Sequence, residues 1–329
     1  MELRTTFPIE PSKEKISYND PVMFIGSCFA TSIGKQFETG CMPVMINPSG
    51  TVYNPVSVLI TVNDILKRRQ FIPEDLYNHE GRWISFGHST EFSSFDRDEA
   101  LEMINKRTEQ ASEFMKGARF LFITFGTARI YRWRQSGNIV SNCHRIPASS
   151  FTQELLDVDY ITGLWNDQLD ILREIYPQLR VVFTISPVRH WKDGPHGNQV
   201  SKSVLFLAVE KLLGHPSQPS YFPAYELVMD DLRDYRFYGE DMLHLSGTTV
   251  NYIWEAFCSC YFDSYTTGLW QEVEKISRAV SHRIQTEDRD QIRKFSDSIL
   301  ERIDKLESSN PGLDLTKERN YFLGLKDTI

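Results

Sequence analysis

The chain has 329 residues, of which 41% are hydrophobic and 24% charged. That apolar fraction excludes a disordered chain, and the length suffices for one large α/β domain or a domain with an appendage. Thirty-six Lys and Arg stand against 44 Asp and Glu, and the net charge of −8 with no basic block argues against nucleic acid or an anionic membrane as the main partner.

The first residues, Met1 to Pro8, hold no apolar core of signal-peptide length. Nowhere does the chain approach the roughly 18 apolar residues a membrane helix needs. Val22-Met23-Phe24-Ile25 runs into Gly26-Ser27, and Met42 to Ile46 runs into Asn47-Pro48-Ser49-Gly50. Phe120 to Phe125 ends at Gly126-Thr127, and Val181 to Ile185 ends at Ser186-Pro187. Continuous apolar runs of this length predict strands buried on both faces, as in a parallel sheet covered by helices. Helical spacing falls between them, at Phe29-Ile33-Phe37, Val56 to Leu66, Leu155 to Ile175 and Ser203 to Leu213. Alternating strand and helix predicts an α/β fold with right-handed crossovers. Residues 70–98, rich in His, Ser, Gly and aromatics, read as an insertion or long loop, and Arg129 to Val140 as a hairpin. From Leu269 to Leu306 the chain turns charged with helical period, which predicts a catalytic domain over 1–265 and a helical extension over 266–329.

Five cysteines (Cys28, Cys41, Cys143, Cys258, Cys260) are odd in number and form no C-x-x-C pair. Neither a disulfide framework nor a zinc ribbon is indicated. Free thiols and the absence of a leader lead us to expect a cytoplasmic protein.

Ligands of an open parallel sheet bind beyond the carboxyl ends of the strands. There the sequence puts Ser27 and Cys28, Asn47 and Gly50, Gly126 and Thr127, then Arg189 and His190. Later in the chain, Asp241 and His244 stand three apart. Ser27, between a strand and a helix, reads either as an N-cap or as a nucleophile whose oxyanion the turn's N–H groups stabilise. A serine hydroxyl needs a base, and a histidine oriented by a carboxylate supplies one. Cys28 is the competing nucleophile, since a helix start favours a thiolate. Adjacent residues on the turn point in different directions, so only one can face the base. His190, Asp193 and His196 match no metal spacing, and no metal or cofactor is expected. Arg189 and His190 are expected to contact substrate. The aromatic stretch Trp83 to Phe95 reads as a lid over the site or as core packing.

Phe24-Ile25-Gly26-Ser27-Cys28-Phe29-Ala30 resembles the signature of the GSCFA family. The similarity continues through Asn47 to Pro55, Thr124 to Ala128, Asn142-Cys143-His144, Ser186 to His190, Lys192-Asp193-Gly194, Tyr221 to Glu226 and Asp241 to His244. That family is similar to the SGNH/GDSL hydrolases. The resemblance implies a flavodoxin-like three-layer α/β/α sandwich with Ser27 as nucleophile, Asp241 as orienting acid and His244 as base. It implies an oxyanion hole of the Ser27 and Gly50 N–H groups plus a third donor. The superfamily's third block carries an Asn where this chain reads Gly126-Thr127-Ala128-Arg129, leaving Thr127, Asn47 or Asn142 as substitutes.

The expectation is a serine esterase cleaving an acyl group, plausibly O-acetyl, from a carbohydrate or small-metabolite ester through an acyl-enzyme. An acyltransferase on the same residues, a binding module without turnover and a Cys28 thiol enzyme are the alternatives.

Overall fold

The structure is a computed structural model and describes residues 5–281 and 288–327. The chain divides into two compact units. The larger holds Pro21–Gly34 and Met45–Glu255, and the smaller holds Glu10–Asp20, Lys35–Val44 and the described part of Ala256–Ile329.

The larger unit begins with strand β1 (Val22–Gly26) and the start of helix α1 (Cys28–Thr39), followed by β2 (Val44–Ile46) and α2 (Pro55–Leu66). A hairpin of β3 (Tyr77–His79) and β4 (Arg82–Ile84) precedes α3 (Arg97–Gly117) and β5 (Phe120–Phe125). Then β6 (Arg129–Trp133), β7 (Ile139–Val140) and β8 (Phe151–Leu155) form a small antiparallel sheet in the order 7-6-8. Helix α4 (Val158–Ile175), β9 (Arg180–Ile185), α5 (Gly194–Leu213), β10 (Ser220–Tyr221) and the short α6 (Ala224–Glu226) follow. Helix α7 (Gly247–Tyr261) comes next.

The central sheet is parallel, with strand order β10-β9-β5-β1-β2. Counting only its own strands along the chain, the order is 2-1-3-4-5, the doubly wound arrangement of flavodoxin-like folds. Every residue of β1 and β5 is buried, which is why both read as unbroken apolar runs. One sheet face, with Met23, Ile25, Leu121, Ile123, Phe125, Phe183 and Ile185, shares a core with residues of α2, α4 and α5. The other face carries a stack of Phe24 on Phe122, ring centroids 4.9 Å apart. Helices cover the sheet as the outer layers of a three-layer sandwich. Each buried aromatic ring in this core removes a large apolar area from water at about 25 cal/mol per Å².

Several boundaries differ from the sequence reading. Helix α3 falls where a long loop and unassigned chain were expected. Its buried positions, Ala100, Ile104, Thr108, Ala111 and Met115, keep a helical period, but small and polar members mute the hydropathy signal. Asp96 caps it, accepting from Asp98 N at 2.8 Å and Glu99 N at 3.1 Å. The expected helix from Leu155 instead begins at Val158, because Leu155 closes β8 and Asp157 caps α4 by accepting from Tyr160 N at 2.8 Å. Helix α5 extends back to Gly194, with Pro195 in its first turn, where proline costs no hydrogen bond. The segment from Trp83 to Phe95 packs against two small clusters, one with Trp133 and Phe151, the other with Ala100 and Ile104.

The smaller unit has its own core. Phe37 meets Phe257 and Phe262 edge to face at 5.7 and 5.9 Å, and Trp270 Nε1 donates to Gln36 O at 2.9 Å. The charged stretch expected as one helical run is α8 (Ser264–Ser281) and α9 (Arg289–Ser309), followed by α10 (Thr316–Asp327). Phe295 of α9 faces Phe322 of α10 at 6.0 Å, and Arg319 joins the two helices through Asp304 at 2.6 Å and Glu307 at 2.5 Å. No described helix is long and apolar enough to cross a membrane.

Candidate active site

The site grows from the end of β1. Gly26 has φ +148°, and a Cβ there would lie 2.2 Å from Thr124 O on β5, so only glycine lets the strand end this close to its neighbour. Asn47, itself at φ +40°, accepts from Gly26 N at 2.8 Å and donates through Nδ2 to Thr31 Oγ1 at 2.8 Å. The chain then turns at Ser27, which is 1% exposed, and enters α1. Phe29 N–H points at Ser27 Oγ from 3.3 Å, so the hydroxyl does occupy a capping position, though over a long bond.

The acid–base pair is built by one tight turn. Tyr238 and Leu245 bridge antiparallel, Gly239 N donates to His244 O at 2.7 Å, and Met242 takes a left-handed φ of +57°. Inside this turn Asp241 Oδ1 accepts from Leu243 N and His244 N, both at 2.9 Å. Its Oδ2 meets His244 Nδ1 at 2.5 Å. The ring is thereby oriented through Nδ1, which leaves Nε2 for other work. Hydrogen bonds from the imidazole and the two backbone N–H groups hold the Asp241 carboxyl down at about 2. The pair is open to solvent, with the Asp241 and His244 side chains 49% and 61% exposed.

Ser27 and His244 line one cavity of about 320 Å³, together with Cys28, Tyr53, Gly126 and Ser186. Arg189 and His190 line it too, followed by Trp191 and Lys192. Burial pushes the Cys28 thiol up, against the thiolate its helix-start position suggested. Burial also pushes the His190 imidazole down, which keeps it neutral, and its ring stands edge-on to Tyr53 at 6.1 Å. Asp193 does not line the cavity; it pairs with Arg129 at 3.4 Å and accepts from Gln153 Nε2 at 2.8 Å, and its charge partly offsets the effect of burial on His190.

The expected oxyanion donors need correction. Gly50 does not line the cavity, and its N–H already donates to Asn47 O at 2.7 Å in a turn where Gly50 has φ +77°. The Ser27 N–H donates to Thr124 O, but at 3.3 Å. Asn47 is spent on Gly26 and Thr31. Thr127 Oγ1 bonds Ser201 Oγ at 3.0 Å and accepts from Arg129 N at 3.1 Å. Asn142 Oδ1 accepts from His144 N at 2.8 Å, away from the cavity lining. These groups build the loops around the site. The Cys28 N–H, which opens α1, lies beyond the intrahelical ladder and is the backbone donor beside Ser27. No residue from Trp83 to Phe95 lines the cavity, so that stretch is packing and not a lid.

One residue of the site was not anticipated. Lys202 on α5 is 1% exposed, and its Nζ donates to Gly126 O at 2.8 Å and Ser186 O at 2.5 Å. It therefore ties together the carboxyl ends of β5 and β9 directly beneath the cavity. Desolvation drives its ammonium down to about 7. A neutral amine has two hydrogens, and two carbonyls receive them. The signal in the sequence was weak: a lysine at the buried period of a helix, four residues after Asn198 and three before Leu205, both buried.

The sequence model of the GSCFA family matches residues 21–257, and that of the GSCFA domain protein, C-terminal domain, matches residues 273–324. No curated protein matches the chain.

Proposed function

The chain belongs to the GSCFA family, and from that membership and the geometry of its cleft we propose that it is a serine esterase of SGNH/GDSL type, acting on an acyl ester of a carbohydrate or small metabolite. The observation that carries the reading is the shared cavity. A serine at a strand–helix turn and a histidine fixed by a carboxylate open onto the same 320 Å³ space. The sheet order is the one the superfamily uses.

In this reading Ser27 Oγ attacks the ester carbonyl while His244 Nε2 takes its proton. Asp241 holds the ring in one tautomer and stabilises the imidazolium that forms. The oxyanion is met by the Cys28 N–H at the start of α1, where the helix dipole also favours negative charge. The tetrahedral adduct collapses, His244 returns the proton to the departing alcohol, and an acyl-Ser27 ester remains. Water then attacks that ester, giving its proton to His244, and the acid leaves as Ser27 Oγ takes the proton back. The exposure of His244 favours hydrolysis over acyl transfer, because an acceptor other than water needs water kept out.

Labelling with a fluorophosphonate followed by peptide mapping tests this directly. Modification at Ser27 that is lost in His244→Ala, with hydrolysis of 4-nitrophenyl acetate lost in Ser27→Ala, is the expected result. An unlabelled, inert wild-type protein would sink the esterase reading. Activity that survives Ser27→Ala but not alkylation of Cys28 would transfer the role to the thiol.

A further inference from the structure

The fixed charges lining the catalytic cavity are the cations Arg189 and Lys192, beside the imidazoles of His190 and His244. Among the described residues no aspartate or glutamate lines it, in a chain whose net charge is −8. The carboxylates closest in sequence are engaged, Asp241 with His244 and Asp193 with Arg129 and Gln153. The two other acidic or weakly acidic groups of the lining, the Cys28 thiol and the Tyr53 phenol, are both pushed up by burial and stay neutral.

Arg189 is distinctive among these. Its guanidinium makes no hydrogen bond or ion pair among the described residues, and its Nε is buried without a partner. Other buried side-chain atoms lack a partner too, but among the described residues lining this cavity Arg189 is the one that does, and an unpaired charged N–H at a cavity wall is a donor a ligand can satisfy. The residue also marks a junction. A second groove, of about 490 Å³, runs on from the cavity and shares Arg189, Trp191 and Leu243 with it, then continues past Tyr235, Tyr238 and Met242. The groove's other charges are answered locally, Arg233 by Asp230 and Asp234 by Arg236, each at 3.5 Å, and Asp241 by His244 at 2.5 Å.

Resting on the esterase reading above, we propose that the substrate is an anionic ester: a carboxylate or phosphate group on it is bound by Arg189 at the junction, while an apolar or sugar-ring portion lies along the aromatic groove. The planar guanidinium presents paired donors that match either oxyanion. The charges of Arg189 and Lys192 attract such a substrate, and that attraction is screened by salt.

The test separates binding from turnover. Full-length Ser27→Ala protein is titrated calorimetrically with benzoate, phenyl phosphate and the uncharged isostere benzamide. At least one anion is expected to bind saturably and at least tenfold more tightly than benzamide, and the tighter of the two identifies the acidic group. Adding Arg189→Gln should remove that tenfold preference, Arg189→Lys should restore part of it, and raising the salt from 0.05 to 0.5 M should weaken the anion alone. Far-UV circular dichroism checks that each variant is folded. Equal affinity for benzamide, no saturable binding of either anion, or a preference that survives Arg189→Gln overturns the proposal. Fluorophosphonate labelling of Ser27 without any anion preference would keep the esterase and discard the anionic substrate. Arg189-dependent anion binding in a protein whose Ser27 never labels would do the reverse.

Discussion

Lys202 offers the sharpest test of how the cleft is held. Replacing it with methionine keeps the stem's length and apolar packing and removes the amine. Two effects oppose one another. The Gly126 and Ser186 carbonyls lose their donor, which costs about 1–3 kcal/mol each when buried. The fold also ceases to bury an ammonium, and lowering that group from 10.5 to about 7 corresponds to about 5 kcal/mol against the charged form. The sign follows from proton counting. The unfolded chain keeps a proton on Lys202 up to about pH 10.5, whereas the folded chain releases it near 7. Between those values the unfolded state binds more protons, so wild-type stability rises with pH through this window. The methionine variant lacks the term. Near pH 7 the two proteins should therefore differ little, and by pH 9.5 wild type should have gained about 3 kcal/mol on the variant. Titrating groups that do not interact with Lys202 are common to both proteins and cancel in the difference, and Cys28, whose thiol interacts with Lys202, is replaced by alanine in both. Urea unfolding between pH 7 and 9.5 measures it, with hydrogen exchange of peptides spanning β5 and β9 assigning the transition to the sheet. A wild-type-minus-variant difference that stays flat with pH would refute the picture of a desolvated amine bridging the two strand ends.

Two further outcomes follow from the site. Asp241→Asn preserves the turn's backbone acceptor but loses the charge that steadies His244, and kcat on an aryl ester should fall by about 10² to 10⁴. Because the Asp241 carboxyl is held at about 2, it stays ionised above about pH 4, so an acid limb of the wild-type rate profile at higher pH reports the protonation of another group. Asn47→Ala leaves Gly26 N–H without its acceptor beneath the Ser27 turn; we expect a loss of about 1–3 kcal/mol by urea unfolding and, on the esterase proposal, slower fluorophosphonate labelling of Ser27.

The sheet was legible because β1, β5 and β9 are buried on both faces and therefore read as continuous apolar runs. Helix α3 was not, since it meets the core mainly through alanine, threonine and serine, whose small contacts leave little hydropathy contrast. Its capping pattern, Asp96 followed by Glu99, was the available signal. The end of α8 and the start of α9 were invisible for a related reason. Both are amphipathic and charged, so the sequence period runs on from one to the other; residues 282–287 between them lie outside the described residues.

Ser27, Asp241 and His244 were picked out by residue type, and the fold opens Ser27 and His244 onto one cavity, with the Asp241–His244 contact local to one turn. The backbone around them was harder to read. Oxyanion donors are backbone groups, and whether a backbone N–H is free depends on what accepts it. Gly50 looked like a donor because it is a glycine after a strand, yet its glycine is required by a left-handed φ and by Ser89, whose Oγ would lie 2.0 Å from an added Cβ. Asn47 looked available because its side chain is polar, yet it serves the backbone of Gly26. Lys202 was hidden by the same logic in reverse. Its partners, two main-chain carbonyls from loops 76 and 16 residues distant, carry no sequence signature at all. What sequence conveys about such a site is which side chains carry reactive chemistry; which polar atoms remain unpaired once the loops close is a property of the fold, and among the described residues that line the cavity Arg189 is the one with a buried side-chain atom left unpaired.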